Sequence, residues 1–410
     1  MRPREGVLQF ELESDSTGGV QLSALADKHA ADFAVTAERY DREAAFPTAN
    51  WTALKESGFL AATVPAELGG LGVDRIGDLV VAISRLARGD GSTAIGAAMH
   101  LTAFWYLARL RQPAAWPMAV EPPAAYLRLM LQACARRRAI ACVAVSERGT
   151  TLGEPLTVAR KTPEGFLVSG RKSFCTNSPV ATLFLCTVRL DDESVGFGVV
   201  PRTTPGLTVL DNWDGLGMRA SGSGEVDFAD CPVGAELVMP AGPAGPLCAA
   251  ILPLTMVGAL VLAAAFLGLA EQAQALLLGG LRPHAAGRPA VRALVGENAV
   301  DLAAGRAVLA RTADLLDDAL GAGAPMLDAD ELAALMAEVQ CANMAVKRAA
   351  IAVVDRGLTA SGGAGYRSAH PLSRLYRDVR AGPLMQPYSA LDAYEYIGSV
   401  ALGPADGGHG

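Results

Sequence analysis

The sequence is short of several kinds of residue, and each shortage excludes a class of protein. Its 35 Lys and Arg residues are outnumbered by 42 Asp and Glu residues, which leaves a net charge of −7 and argues against nucleic-acid binding. The seven cysteines are odd in number and form no CxxC pair, so we expect neither a disulfide framework nor a metal site. The N-terminal segment contains no apolar core of a signal peptide, and we expect a cytoplasmic protein.

Charged residues are missing from one long stretch, between Glu236 and Glu271. The stretch is apolar enough to raise the question of a membrane span, which needs about 20 consecutive apolar residues. Four prolines interrupt it, and the uninterrupted part after Pro253 is slightly too short for a span. We therefore predict a loop followed by a buried helix of a bundle, and no membrane partner.

The rest of the composition is that of an ordered globular protein, with 51% hydrophobic and 19% charged residues. The spacing of apolar residues changes twice along the chain. Helical spacing dominates residues 21–139, short β-rich runs fill residues 140–240, and helical spacing returns over residues 241–400. Residues 1–20 and 401–410 are expected to form flexible ends. The predicted fold class is mainly α with a central β domain.

Local signals mark several helix boundaries. The turn "RGDGST" separates two helices and offers Ser92 or Thr93 as the N-cap of the second helix. Asp328 and Glu331 have the spacing of a capping box, which predicts the start of a helix with an apolar, core-facing stripe. We expect this helix to end at Gly357, because glycine is favoured just past a helix C-terminus.

Five segments, taken together and in order, resemble the acyl-CoA dehydrogenase superfamily of flavoproteins. They are "GFLAATVPAELGGLG" (58–72), "GFLVSGRKSFCTNSPVATLFLCTVRL" (165–190), "LGMRASGSGEVDFADCPVG" (216–234), "LAAAFLGLAEQA" (262–273) and "GGAGYRSAHPLSRLYRDVRAG" (362–382). The resemblance implies an N-terminal helical domain, a small β-barrel or sandwich domain and a C-terminal four-helix bundle. It also implies a flavin, FAD ahead of FMN, and a homodimer or homotetramer.

The resemblance implies a set of residues around the isoalloxazine ring. In the segment "VAVS", backbone groups of Val143 and Val145 and the hydroxyl of Ser146 would bind the ring. In "KSFCT", Phe174 would stack on the ring and the Thr176 hydroxyl would bond near flavin N5. A hydroxyl there tunes the atom that accepts hydride. Taken alone, Ser146 and Thr176 are better explained as ordinary strand residues, and it is the order of the motifs that favours flavin contacts.

The resemblance also implies contacts to the other end of the cofactor. Arg282 would meet the pyrophosphate, across a subunit interface in many relatives, although a solvated surface arginine is an equal alternative. Gly362 and Gly363 would let the backbone approach the adenine, since glycine serves where a ligand comes close. The alternative for the two glycines is that they only close a helix.

The chain departs from the family at the catalytic base. Most members carry a glutamate eight residues after an "RD" pair, and Arg377–Asp378 place Gln386 at that position. The second known position of the base corresponds to Gly258. An amide has no useful basicity, whereas a positioned general base contributes roughly 10²–10⁴-fold. Glu147 and Asp378 are possible substitutes in sequence terms, but the resemblance gives both the position of structural residues.

One histidine resembles a residue of the flavin monooxygenases that share this fold. His100 follows Ser92 by eight residues in "DGSTAIGAAMH", as in several sulfur- and nitrogen-oxidising members. A histidine can act as acid or base near neutral pH. The catalytic candidates are therefore Gln386, Thr176 and His100, with a hydrogen-bonded helix histidine as the alternative for His100.

The empty base positions leave three functional hypotheses. In the first, the enzyme oxidises a small acyl-derived substrate (CoA-bound, carrier-protein-bound or a free β-keto acid) by decarboxylative desaturation or by oxygenation, and Gln386 orients a carbonyl or a peroxide. The second is an α,β-desaturating dehydrogenase with an unrecognised base. The third is a non-catalytic homologue that pairs with an active subunit. We favour the first, because a carboxylate is missing from both known positions.

Overall fold

The structure is a computed structural model, and it describes most of the chain. The described residues are 11–111, 124–151, 153–245, 251–321, 323–385 and 388–403. Helices, then strands, then helices follow one another along the chain, which confirms the predicted fold class. Gln386 lies outside the described residues.

The N-terminal region is helical. Its helices are α1 (Thr17–Glu43), α2 (Thr48–Ser57), α3 (Ile76–Ala87), α4 (Gly91–Arg109) and α5 (Ala124–Ala135). The N-cap of α4 is Asp90, whose carboxylate accepts hydrogen bonds from the backbone N–H groups of Ser92 and Thr93. The prediction of Ser92 or Thr93 as the cap was therefore wrong by two or three residues, because the acidic residue of "RGDGST" takes that place.

The middle region forms one eight-stranded sheet. Its strands are β1 (Ala141–Ala144), β2 (Val158–Thr162), β3 (Gly165–Lys172), β4 (Leu183–Arg189), β5 (Val195–Pro201), β6 (Leu207–Val209), β7 (Val226–Val233) and β8 (Val238–Gly242). Their order is β6-β7-β3-β2-β4-β5-β8, and β1 pairs with β4 in parallel. The pairing of β1 with β4 brings the end of β1 to the side of the sheet that faces the helices.

The C-terminal region is again helical. Its helices are α6 (Leu252–Gly280), α7 (Pro283–Ala286), α8 (Pro289–Leu320), α9 (Ala329–Ser361), α10 (Pro371–Asp378) and α11 (Ala390–Leu402). The predicted capping box of Asp328 and Glu331 is present at the start of α9. The predicted end at Gly357 was wrong: Gly357 is buried within α9, and the left-handed residue that follows the helix is Gly362, with φ of 62°.

Helix α6 is the core helix of the whole molecule. Among the described residues it is the one helix long and apolar enough to cross a membrane, and 89% of its most apolar window is buried inside the protein. It packs against α3, α4, α8 and α9. Its small residues permit this: a Cβ added at Gly268 would lie 2.0 Å from the carbonyl oxygen of Ser84 on α3. Burial by other helices accounts for the absence of charge in α6 before Glu271, and Glu271 itself pairs with Arg88 and Arg306.

Candidate functional site

A cavity of about 350 Å³ opens where the three regions meet, and it is called the main cavity below. Helices α4 and α6, the sheet and the segment after α10 all contribute to its wall. Five residues that the sequence assigned to flavin binding line it together: Val143, Val145, Ser146, Phe174 and Thr176. They come from the ends of β1 and β3, which are far apart in sequence.

The ends of β1 and β3 are joined beside the main cavity. Ser146 and Ser173 form an isolated antiparallel bridge, in which the Ser173 N–H donates to the Ser146 carbonyl at 2.9 Å. The next residue, Phe174, has a left-handed backbone with φ of 53°. Its side chain is 65% exposed and meets the ring of Trp213 edge-on, with 6.1 Å between centroids. The bridge thus presents an aromatic face at the cavity opening.

A buried ion pair fixes the same two chain segments. The Lys172 ammonium lies 2.6 Å from the Glu147 carboxylate, and both side chains are almost fully buried. Burial raises the pKa of Glu147, but the Lys172 charge and the hydrogen bonds from Thr157 and the Leu156 N–H outweigh burial, so the pKa of Glu147 is lowered overall. A carboxylate with these partners holds structure together, and the structure gives no support to Glu147 as a substitute base.

Three hydroxyl groups form a continuous row along one wall of the main cavity. Thr176 Oγ1 lies 2.9 Å from Ser223 Oγ, and Ser223 Oγ lies 2.7 Å from Ser221 Oγ. All three residues line the cavity and are almost fully buried. Gly222 permits the turn between the serines, with φ of 57° and no space for a Cβ beside Phe46. This hydroxyl row was not predicted, because Ser221 and Ser223 lie more than forty residues after Thr176.

No buried carboxylate faces the main cavity among the described residues. Asp214 is the one acidic residue of the described lining, its side chain is 95% exposed, and its nearest cation is Arg219 at 3.9 Å. Asp378 is buried and does not line the cavity; burial raises its pKa to about 6, and it accepts a hydrogen bond from the Met218 N–H. The described wall therefore holds no group placed to remove a proton from carbon.

A small apolar pocket adjoins the main cavity and is called the side pocket below. It measures about 50 Å³ and shares Met99, Val143 and Leu262 with the main cavity. Gly258 and Ala259 of α6 form part of its wall. Gly258, the second position at which the family resemblance places a base, therefore faces this pocket, and none of the pocket's described lining residues is acidic.

The structure shows the surroundings of His100. Its Nε2 lies 2.9 Å from the carbonyl oxygen of Leu60, and its Nδ1 accepts a hydrogen bond from the Ala141 N–H at 3.0 Å. The ring is fully buried, and burial lowers its pKa to about 4. His100 does not line the main cavity; its neighbour Met99 does. Both ring nitrogens are engaged by backbone groups, which agrees with the alternative of a hydrogen-bonded helix histidine that joins α4 to β1, and a catalytic role for His100 stays a prediction.

The remaining cofactor candidates lie away from the main cavity. Arg282 is exposed at the start of α7, and Gly362 and Gly363 are exposed after α9. None of the three lines the cavity of the same chain. Their expected contacts with a flavin stay predictions. Among the described residues, no group of three or more His, Cys, Asp and Glu side chains could hold a metal ion.

The residues of the main cavity fit a flavin. Cofactor sites are concave and largely apolar, with a few polar groups that fix orientation and typical volumes of about 300–1,000 Å³. The cavity has that size, an exposed phenyl ring at Phe174 and a short row of hydroxyls. Ser146 and Thr176 would hold the polar edge of the ring system, and Phe174 would cover its face.

Comparison with known proteins agrees with this geometry. The descriptions "Acyl-CoA dehydrogenase, N-terminal domain", "middle domain" and "C-terminal domain" match residues 21–113, 142–231 and 260–387. The amino sugar nitrososynthase DnmZ of Streptomyces peucetius is 35% identical over 402 residues, which cover 95% of each chain. The L-evernosamine nitrososynthase of a Micromonospora species is 39% identical over 377 residues, which cover 88% of this chain and 85% of that protein.

A solved structure is similar over almost the whole chain. KijD3 in complex with FMN and dTDP-3-amino-2,3,6-trideoxy-4-keto-3-methyl-D-glucose has a TM-score of 0.86 and 34% identity, and the match covers 96% of both chains. Fold and cavity together define a flavin-dependent oxidoreductase. The three matched domains and the identity to these relatives confirm the resemblance found in the sequence: the chain belongs to the acyl-CoA dehydrogenase family.

Proposed function

We propose that this enzyme is an FMN-dependent oxygenase that oxidises the amino group of a nucleotide-linked amino sugar. The observation that carries the proposal is the main cavity, which brings together five residues expected to bind flavin while its described wall holds no buried carboxylate. Two relatives, 35% and 39% identical to this chain, are named as nitrososynthases: one of an amino sugar and one of L-evernosamine. Oxidation at nitrogen needs no proton removal from carbon, so this reaction does not depend on the carboxylate base that the described wall lacks.

The proposed chemistry balances in two turnovers. In the first, dioxygen gives one oxygen atom to the amine and one to water, so that two electrons and two protons yield the hydroxylamine. In the second, the hydroxylamine, dioxygen, two electrons and two protons yield the nitroso sugar and two waters. When bound and reduced, the flavin supplies the electrons. The amine must be neutral to react, and it loses its proton before oxidation.

The hydroxyl row has the properties that proton handling requires. A hydroxyl both donates and accepts a hydrogen bond. Thr176, Ser223 and Ser221 can therefore each hold a proton at a fixed place in the row while staying uncharged. Phe174 and the apolar wall would cover the face of a bound ring system and limit its contact with water. The side pocket, at about 50 Å³, offers space for a small apolar group rather than a long acyl chain.

FMN takes the place of FAD in this proposal. The sequence-based expectation put FAD first, whereas KijD3 is similar over 96% of the chain and its complex contains FMN. The acyl-derived substrate and the decarboxylation of the sequence-based hypothesis find no support in these relatives, whose names refer to amino sugars. A homodimer or homotetramer stays part of the proposal because the family resemblance implies it; the pyrophosphate and adenine contacts expected of Arg282, Gly362 and Gly363 do not carry over, since FMN has neither group.

The test is an oxygenation assay with isotope-labelled dioxygen. Purified enzyme, FMN, a flavin reductase with its nicotinamide donor, and a dTDP-linked amino sugar are incubated, and the sugar is analysed by mass spectrometry. We expect labelled hydroxylamine first and labelled nitroso sugar later. Unlabelled sugar together with turnover of an acyl-CoA thioester in the absence of dioxygen would overturn the proposal.

A further inference from the structure

Three arginines follow one another at intervals of three residues beside the main cavity: Arg374, Arg377 and Arg380. The first is buried in α10 and lies 3.5 Å from the carboxylate of Asp378. The second donates two hydrogen bonds to the carboxylate of Asp41, at 2.9 and 2.5 Å. The charges of Arg374 and Arg377 are therefore neutralised inside the protein.

The third arginine is different. Among the described residues, Arg380 forms no ion pair with a carboxylate, although it lines the main cavity. Its guanidinium lies 5.1 Å from the ring centroid of Tyr376, and one of its N–H groups donates to the Tyr376 hydroxyl at 3.1 Å. The tyrosine thus orients the guanidinium, and most of its five N–H donors stay available.

The surroundings of Arg380 favour an anion with several oxygen atoms. A guanidinium is planar and pairs best with carboxylate or phosphate through two parallel hydrogen bonds. The one carboxylate of the described lining, Asp214, is exposed and lies near Arg219 instead. A cation that is oriented by a neighbouring ring and faces a ligand cavity is complementary to a phosphate carried by that ligand.

We propose that Arg380 binds a phosphate group of a molecule held in the main cavity. The inference rests on the proposed function, which places two phosphate-bearing molecules there: FMN, with one phosphate, and the nucleotide-linked sugar, with a diphosphate. Both present the same chemistry to a guanidinium, and a comparison of ligands with and without phosphate identifies the source.

The experiment compares four probes on wild-type protein and on Arg380→Met. Kd is measured for riboflavin, FMN, thymidine and dTDP by fluorescence titration or calorimetry. A charge-assisted hydrogen bond contributes enough for a loss of affinity on the order of ten-fold. If the flavin phosphate is bound, FMN weakens and riboflavin does not; if the substrate diphosphate is bound, dTDP weakens and thymidine does not. Arg380→Lys should recover part of the lost affinity, because it keeps the charge.

Arg348→Met serves as the matched control, since Arg348 is exposed on α9 and does not line the cavity. Arg380 is exposed as well, so the melting temperature of both variants should stay that of the wild type. Unchanged affinity of Arg380→Met for both FMN and dTDP would overturn the inference and leave the proposed function intact. Failure of the wild type to bind either flavin would instead contradict the proposed function.

Discussion

At the scale of single residues, the polar chemistry of the main cavity depends on hydroxyl groups. Thr176 was recognisable from the sequence because it lies in a short motif at the end of a strand. Its partners Ser221 and Ser223 were not, because the contact joins two distant loops through a turn that only Gly222 allows. The five lining residues that were predicted all belong to two local motifs, whereas the long-range partners of those motifs needed the structure.

Ser223→Ala should uncouple oxygen consumption from product formation. The substitution removes the central hydroxyl of the row, which holds Thr176 at 2.9 Å and Ser221 at 2.7 Å. Net losses of roughly 0.5–1.5 kcal/mol per hydrogen bond predict a fall in the rate of product formation of about three- to ten-fold. The measurement is product formed per dioxygen consumed, as a function of pH.

Ser194→Ala is the control for this variant, because Ser194 lies in an exposed turn of the sheet region and bonds only to Asp192 among the described side chains. Riboflavin affinity should be nearly equal in both variants, whereas the melting temperature should fall more in Ser223→Ala, because that substitution leaves two buried hydroxyls without their partner. A Ser223→Ala enzyme that loses stability but keeps the wild-type ratio of product to dioxygen would show that the row is merely structural.

Glu147→Gln should destabilise the protein strongly at neutral pH. The substitution leaves the Lys172 ammonium buried without a counter-charge, and breaking a buried pair in this way typically costs about 3–5 kcal/mol. Urea denaturation at pH 7 measures the loss. The double variant Glu147→Gln with Lys172→Met should recover much of it, because no uncompensated charge remains. Equal stability of the single and double variants would contradict this account.

The same ion pair predicts the pH dependence of folding. The pKa of Glu147 is lower in the folded protein than the ordinary value of 4.5. The folded state therefore prefers the ionised carboxylate, and its contribution is complete above pH 4.5 and is lost as the pH falls through the folded pKa. The measurement is the free energy of unfolding between about pH 3 and pH 6, a range that brackets the ordinary pKa of a glutamate. Over this range the wild-type protein should lose stability more steeply with falling pH than Glu147→Gln.

At the scale of helices and strands, local signals located the elements and tertiary contacts set their ends. The capping box of α9 depends on two residues three apart, and it was predicted correctly. The end of α9 depends on packing: Gly357 is buried near Leu372 and stays helical, so the helix continues to Ser361. The N-cap of α4 was misplaced because three residues of its turn are all good caps, and backbone geometry selects Asp90.

Two glycines of α6 should respond in opposite ways to the same substitution. A Cβ at Gly268 would lie 2.0 Å from the Ser84 carbonyl oxygen, whereas a Cβ at Gly258 would meet only Thr102, at 3.8 Å. Gly268→Ala should destabilise by about 1–3 kcal/mol or more, since α3 must move. Gly258→Ala should be neutral or stabilise by up to about 1 kcal/mol, because alanine is the better helix former.

Thermal and urea unfolding of both variants measure this difference, and each glycine is the control for the other. Destabilisation of Gly258→Ala to the same extent as Gly268→Ala would contradict the packing described for α6. Gly258→Ala also narrows the side pocket, so a substrate with a small apolar group there should bind with a higher KM in a variant that folds well.

At the scale of the whole molecule, the order of five short motifs was enough to predict the architecture. Each motif alone is weak, but their sequence along the chain matches one arrangement of helices, sheet and helices. The absence of charge in α6 before Glu271 was the observation most open to error, and burial against α3, α4, α8 and α9 explains it. The assembly of subunits is a different matter, because one chain contains no information about which surface meets a partner.

Arg282 offers the test of that assembly. It is exposed at the start of α7 and does not line the main cavity of its own chain, so we propose that it meets the phosphate end of the flavin in the cavity of a second subunit. Arg282→Met should therefore weaken FMN binding on the order of ten-fold, the loss of a charge-assisted hydrogen bond, while riboflavin binding stays unchanged. Arg288→Met, six residues along and also exposed, should bind FMN as the wild type does.

In wild-type protein, FMN affinity should also fall when dilution separates the subunits, and sedimentation measures that separation. An Arg282→Met variant that binds FMN normally in the assembled state would show that Arg282 does not contact the flavin phosphate. Flavin affinity that is independent of protein concentration across the dissociation range would mean that each chain binds its cofactor alone.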